Sequence, residues 1–338
     1  MHLTSWKGDY ENLLHADDRE LEEALARARK ISWKNFGKQI GFYAPSFSYY
    51  KTKYLHSSPT TFPTISVTGS SCALKCKHCN GKVLETMLPA TSPKELIATC
   101  RDLKDKGCIG CLISGGCLPD GSVPLDRFVD AIAKIKRDVG LTILVHTGIV
   151  KSSTARALKK AGVDAALVDV IGSNETIREI YQLDATVDDY DRSLRALHKT
   201  GIPTVPHVLV GLHYGKLKGE LKALEMISKY SPSAVIIIAF MPVRDTPMEK
   251  VVPPAPKEIV KMLITARLML PETPIALGCM RPKGEHRIKT DMLAVRAGVN
   301  AIAFPVEEAI NLAESMRLGV TFSSFCCSQV FRDIPLRV

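Results

Sequence analysis

The sequence predicts an α/β protein: a (β/α)8 TIM-like barrel with an N-terminal helical extension and a C-terminal tail. Three observations carry this. From about residue 64 to residue 318, short apolar runs alternate with amphipathic segments long enough to serve as the crossover helices that parallel strands require. Eight such runs occur in this span. The stretches Ala161-Gly162-Val163-Asp164-Ala165 and Ala297-Gly298-Val299-Asn300-Ala301 repeat one design, a helix end, a capping glycine and a strand start. Eight βα units favour a barrel over the alternative, an open doubly wound sheet.

Taken in order, Asp18–Phe36 reads as a charged helix with Leu21, Leu25 and Ile31 on one side. The expected strands are Thr64–Thr68, Gly110–Ser114, Leu141–His146, Ala165–Val170, Thr204–Gly211, Ala234–Met241, Ile275–Cys279 and Ala301–Phe304. Between them, Ser92-Pro93-Lys94-Glu95 has the form of a capping box with proline in the first turn. Phe128, Ile132, Ile135 and Val139 keep helical spacing until Gly140 stops the run. Val251–Pro256 reads as a loop before a helix. The organisation is an extension over 1–60, the barrel over 61–319, and a tail over 320–338 that closes over the barrel mouth.

Composition narrows the function. There is no run of 18 or more apolar residues, so no membrane span is expected. Met1–Lys7 lacks the apolar core of a leader, which points to the cytoplasm. The net charge of +10 suits an acidic protein partner. The basic residues are scattered and aromatics make up only 6%, which disfavours nucleic acid. Ten cysteines in such a chain suit metal or redox chemistry better than disulfides.

The decisive motif is Cys72-Ala-Leu-Lys-Cys76-Lys-His-Cys79, directly after the first barrel strand. Three thiolates on one loop can hold three irons of a [4Fe–4S] cubane and leave the fourth iron open. A zinc site with His78 as the fourth ligand is the competing account. Barrel geometry sorts the other cysteines, because active sites lie where strands end. Cys108 and Cys111 belong at the barrel bottom or in its wall, and Cys100 belongs in the core among Leu96, Ile97 and Leu103. Cys117 and Cys279 follow strand ends, and Cys326 and Cys327 lie in a tail able to fold back over the mouth. Those four thiolates could hold an auxiliary iron–sulfur cluster, with His146 and His207 as spare candidates.

With the triad in place, residues 60–305 resemble the biotin-synthase-like branch of the radical S-adenosylmethionine (SAM) superfamily. The resemblance implies a radical SAM barrel whose open iron binds SAM, and an external electron donor that drives its cleavage to a 5′-deoxyadenosyl radical. Ser114-Gly115-Gly116 stands where the family receives the amino group of SAM, with Cys117 in place of the usual acidic residue. Asp169 matches a position contacting SAM or substrate, and His207-Val-Leu209-Val-Gly211 matches the segment supporting adenine. Arg281, in Gly278-Cys279-Met280-Arg281-Pro282, matches an arginine near the auxiliary cluster of biotin synthases, which implies a catalytic role. Lys283, Glu285, His286 and Arg287 form a polar loop at the same face.

The Ser-Gly-Gly-Cys and Leu-Gly-Cys-Met-Arg-Pro segments are similar to one subunit of an archaeal-type two-component lipoyl synthase. That resemblance implies a sulfurtransferase that inserts sulfur at an unactivated C–H of an octanoyl chain. The chain would be carried on a lysine of an acidic carrier, of lipoyl-domain or H-protein type. The auxiliary cluster would be the sulfur donor, and a second radical SAM subunit would be a partner. The alternative is a biotin-synthase-like cofactor maturase that acts on a small molecule without sulfur insertion.

Overall fold

The computed structural model describes residues 12–337, so the Met1–Lys7 segment considered above lies outside the described residues. Eleven strands form one sheet: β1 Gln39–Tyr43, β2 Thr64–Ser66, β3 Leu88–Pro89, β4 Gly110–Ser114, β5 Thr142–His146, β6 Ala165–Asp169, β7 Thr204–Val210, β8 Val235–Ala239, β9 Ile275–Leu277, β10 Ala301–Ala303 and β11 Gly319–Ser323. Their order is β11-β1-β10-β9-β8-β7-β6-β5-β4-β2-β3, and every pairing is parallel. All eight expected strands are present, in chain order, and the fold is the expected TIM-like α/β barrel. Several end early: β2 stops at Ser66 and β9 at Leu277, because there the chain leaves the ladder to build loops at the barrel mouth.

Three strands lie where none was expected. The shortest, β3, is two exposed residues paired with β2. In the extension, Ile40-Gly41-Phe42-Tyr43 is fully buried and forms β1 between β10 and β11. The tail begins with β11, whose residues are mostly exposed, a pattern that gave little apolar signal. The ladder ends at β11 and β3 and does not close on itself. The seam is bridged instead by the Ser46 amide donating to the Phe62 carbonyl (3.2 Å) and the Phe62 amide donating to Ser46 Oγ (2.8 Å). Phe62 also packs on Phe325, with ring centroids 5.7 Å apart.

Local chemistry sets the helix ends. Asp17 and Glu20 cap the helix Asp18–Phe36 reciprocally, as Ser92 and Glu95 cap Pro93–Asp105. Gly298 adopts φ +75 after the helix Glu285–Ala297, a left-handed turn that L side chains resist. Cys100, Cys108 and Cys111 are buried in the layer between sheet and helices, as their places in the sequence predicted.

Side chains alternate across a strand. Residues facing the barrel interior therefore include Leu144 on β5, Ala165 and Leu167 on β6, Val205 on β7, Ile236 and Ile238 on β8, Ala276 on β9, and Ala301 and Ala303 on β10. A barrel of this type is ordinarily filled by branched side chains from its own strands. Here the alanines leave room, and the tail fills it: Cys326, Cys327, Val330 and Ile334 belong to the same interior cluster. The tail runs through the interior to the base, where the Tyr43 hydroxyl donates to Asp333 (2.6 Å) and Arg332 pairs with Asp164 (3.2 Å).

Candidate active site

The loop after β2 carries Cys72 and Cys79, which are half-buried, and Cys76, which is buried. Neighbouring loops fix it. Ala73 N–H donates to the Cys117 carbonyl (2.8 Å), and Lys77 N–H donates to the Ile180 carbonyl (2.8 Å). The Cys76 thiol points at the Tyr181 carbonyl (3.6 Å), and the Gln182 amide donates to the Lys75 carbonyl. The supporting turn Ile177–Tyr181 was not anticipated, since it is remote in sequence and carries no local motif. The Ser-Gly-Gly segment has a clear steric purpose. A Cβ on Gly116 would lie 2.0 Å from the Ser71 carbonyl oxygen and 2.7 Å from Cys72 Cα, so only glycine lets the cysteine loop sit there. Gly116 N–H donates to Thr68 Oγ1 (2.7 Å), and Ser114 Oγ donates to the His146 carbonyl (3.2 Å).

The triad thiols do not hold their protons equally. Cys79 is held down at about 4, first by the hydrogen bond from Cys76 and then, against burial, by His78. Cys76 is pushed up by that same bond and by burial. Cys117 belongs to this neighbourhood: burial, and then the charge of Cys72, raise it to about 12. Donor atoms of Cys76, His78 and Cys79 lie within 4.8 Å of one another, and Cys72 is near enough for its charge to act on Cys76; soft, crowded thiols on one loop are the donor chemistry an iron–sulfur cluster requires.

Interior-facing parity carries three further side chains to the mouth: His146 two residues past Leu144, Asp169 two past Leu167, and His207 two past Val205. Asp169 and His207 are register partners on adjacent strands. His146 Nε2 lies 3.4 Å from Asp169 Oδ1, and the His146 and His207 rings are 5.6 Å apart. One donor atom from each of the three lies within 4.8 Å of the others. Burial opposes ionisation of Asp169, but His146 and then His207 outweigh it and hold the carboxyl at about 2. Burial likewise lowers His146, yet Asp169 outweighs it and the net shift is upward. Burial and then His146 take His207 down to about 4, so it is neutral at pH 7.

The remaining thiols form a separate group. Burial, and then the charge of Cys326, raise Cys279 to about 11. Cys326 is lowered to about 7 by its bond from Cys327 and, against burial, by Ser328, while Cys327 is raised. Thus Cys279, Cys326 and Cys327 come together inside the barrel, whereas Cys117 sits with the triad.

Arg281, expected in a catalytic role, is held by the fold on every side. It is fully buried, and its guanidinium donates to both oxygens of Asp291 (2.7 and 2.8 Å), to the Gly278 carbonyl (2.6 Å) and to the Phe304 carbonyl (3.2 Å). Its charge reaches Cys279 and Cys327, but its hydrogen bonds are structural. In the polar loop, His286 Nε2 bonds the Pro254 carbonyl (2.8 Å), and Arg287 lines a cleft of about 410 Å³ with Tyr50 and Glu307. Leu209 lines a narrow cleft with Val170, Thr176 and Glu220. Gly211 N–H donates to Glu220 Oε1 (2.8 Å), and a Cβ on Gly211 would meet Pro254 at 2.6 Å.

Comparison with known proteins assigns the family. Residues 66–219 match the radical SAM superfamily, and residues 237–315 match the Biotin and Thiamin Synthesis associated domain. The chain is a biotin-synthase-like radical SAM enzyme. It is similar to biotin synthase 2 of Polaromonas sp., 26% identical over 253 residues that cover 71% of this chain and 70% of that one. It is 24% identical to the biotin synthase of Alkalilimnicola ehrlichii over 302 residues, or 82% and 88% of the two chains. The radical SAM barrel is shared with a methylornithine synthase (TM-score 0.64, 17% identity, 97% and 96% covered). It is also shared with HydG, a maturase of the [FeFe]-hydrogenase (TM-score 0.63, 18% identity, 86% and 63% covered). Among the described residues of this radical SAM enzyme, no helix is long and apolar enough to cross a membrane.

Proposed function

We propose that this radical SAM enzyme inserts sulfur into an unactivated C–H bond of an octanoyl chain on a carrier protein, as one component of a lipoyl synthase. The observation behind this reading is the second thiol group. Cys279, Cys326 and Cys327 meet inside the same barrel as the triad, yet apart from it. In this reading Cys72, Cys76 and Cys79 hold the SAM cluster, and the interior thiols hold an auxiliary cluster that is the sulfur source. When bound, the first cluster supplies the electron that cleaves SAM, and the resulting 5′-deoxyadenosyl radical takes a hydrogen atom from substrate.

The chain's own residues provide the setting. Gly115 and Gly116 bring backbone close to the triad loop. Asp169 is held ionised beside His146 and can accept from the amino group or ribose of SAM. Leu209 offers an apolar surface, and Glu220 fixes the Gly211 turn next to it. The net charge of +10 favours encounter with an acidic carrier.

The test is anaerobic turnover of the reconstituted protein with SAM, reductant and an octanoyl-lysine carrier domain, with a partner radical SAM subunit added where available. The expected products are 5′-deoxyadenosine and a thiolated octanoyl chain. If 5′-deoxyadenosine forms and no sulfur enters any carrier tried, a small-molecule maturase becomes the better reading.

A further inference from the structure

The barrel interior gathers more than thiols. Leu144, Leu167 and Val205 lie in the same interior cluster as Cys326 and Cys327, with Cys279 packed against it. His146, Asp169 and His207 continue the same strands and the same face by one pleat toward the mouth. Two imidazoles, a carboxylate and three thiols therefore lie on the interior face of an otherwise apolar barrel. Cys326 links the two sets, since it is close enough for its charge to act on both His146 and Cys279.

Both imidazoles are already held as metal ligands are held. A ligating histidine almost always gives its other ring N–H to a carbonyl or carboxylate, which fixes its tautomer and direction. His207 Nδ1 contacts the Val205 carbonyl at 3.1 Å, which leaves Nε2 to face the interior as a lone-pair donor. His146 is steered by Asp169, at 3.4 Å from its Nε2. The tail adds a donor of its own. Gln329 Nε2 is buried and without a hydrogen-bond partner, although it lies just beyond Cys326 and Cys327. Buried donors rarely go unpaired in folded proteins, and cluster sulfides accept hydrogen bonds.

We infer that the second centre has mixed ligation, with the imidazoles of His146 and His207 serving beside the thiolates of Cys279 and Cys326. This rests on the reading that the interior holds a second iron–sulfur cluster, and it removes Cys117 from the ligand set. Cys117 lies among the triad cysteines, where, after burial, Cys72 is the strongest charge acting on it. Cys326 and Cys327 are adjacent with their thiols in contact, too close to serve as two separate corner ligands, and Cys326 is the one whose charge reaches His146, so one of the two suffices. Two imidazoles in place of two thiolates on one iron raise the reduction potential, as they do in Rieske centres.

The experiment uses the full chain carrying Cys72→Ala, Cys76→Ala and Cys79→Ala. It is labelled with 15N-histidine, reconstituted anaerobically with ferrous iron and sulfide, reduced, and read by pulsed EPR and iron analysis. The expected result is second-centre iron coupled to histidine nitrogen. That iron should fall at least fivefold on His146→Ala or His207→Ala and stay unchanged on Cys117→Ala. His146→Cys should keep the iron, lose one nitrogen coupling and lower the potential; it also serves as the folded control should an alanine variant not fold. Iron retained without nitrogen coupling overturns this inference and leaves the second-cluster reading standing. Iron lost on Cys117→Ala does the same. A folded triple variant that holds no iron overturns both.

Discussion

Replacing Arg281 by methionine separates a structural arginine from a catalytic one. The substitution removes the charge and keeps much of the side-chain volume. It leaves the Asp291 carboxyl fully buried without its partner, with the Val306 N–H (3.1 Å) still donating to it. The carbonyls of Gly278 and Phe304 lose donors as well. Breaking a buried ion pair by removing one partner costs about 3–5 kcal/mol. Each orphaned carbonyl adds about 1 kcal/mol, so the loss should lie toward the upper end. Replacing both partners by apolar residues removes the uncompensated charge, and Arg281→Met with Asp291→Leu should recover most of the stability. Urea unfolding of the metal-free protein measures both steps, with the midpoint and slope fitted together. A loss below about 1 kcal/mol in the single variant, with SAM cleavage abolished, would refute the structural assignment and restore a catalytic role.

Other consequences follow from the same geometry. Gly116→Ala should cost about 1–3 kcal/mol through overpacking against Ser71 and Cys72. It should also sharply reduce iron at the triad; full loading in an iron assay would contradict the cradle. Cys100→Ser, by burying a hydroxyl in the core, should cost about 1–3 kcal/mol and leave iron content unchanged. A loss of iron at unchanged stability would instead make Cys100 a ligand. The His146–Asp169 pair gives metal-free protein a pH signature. Asp169 has a depressed value, so its contribution is present above about pH 4 and is lost as pH falls toward 2. His146 is raised, so its contribution is complete below its unfolded value near 6.5 and fades as pH rises through its folded value. Asp169→Asn should flatten both limbs in urea midpoints measured from pH 3 to pH 8, and an unaltered profile would rule the pair out.

The sequence made the eight strands legible because buried parallel strands are short apolar runs punctuated by glycine, and the crossover helices carry strong caps. The triad was legible because its chemistry is local, three thiols within eight residues. The second thiol group was only half legible. Strand ends placed Cys117 and Cys279 at the mouth, but nothing local says that Cys117 turns toward Cys72 while Cys279 turns toward the tail. The ion pair of Arg281 was illegible for a related reason. Its partner Asp291 lies on the next helix, and a salt bridge between elements leaves no periodic trace. Strand β11 escaped notice because it packs on β1 at the sheet edge with exposed side chains, so hydropathy does not mark it. The triad's supporting turn at Ile177–Tyr181 is equally silent, being joined to the loop through backbone carbonyls that any sequence supplies.

The course of the tail has a consequence for how the protein is made. Residues 324–337 follow all the described strands in the chain, and they carry Cys326, Cys327 and the side chains that plug the barrel base. Domains form from the N-terminus as synthesis proceeds, so the strands are made before the side chains that fill the space between them. Loading of the triad can begin on the ribosome, as soon as the loop after β2 meets Gly116. Anything bound by Cys326 must arrive afterwards or together with the tail. Maturation is therefore ordered by position in the chain, with the triad available before the thiols of the tail.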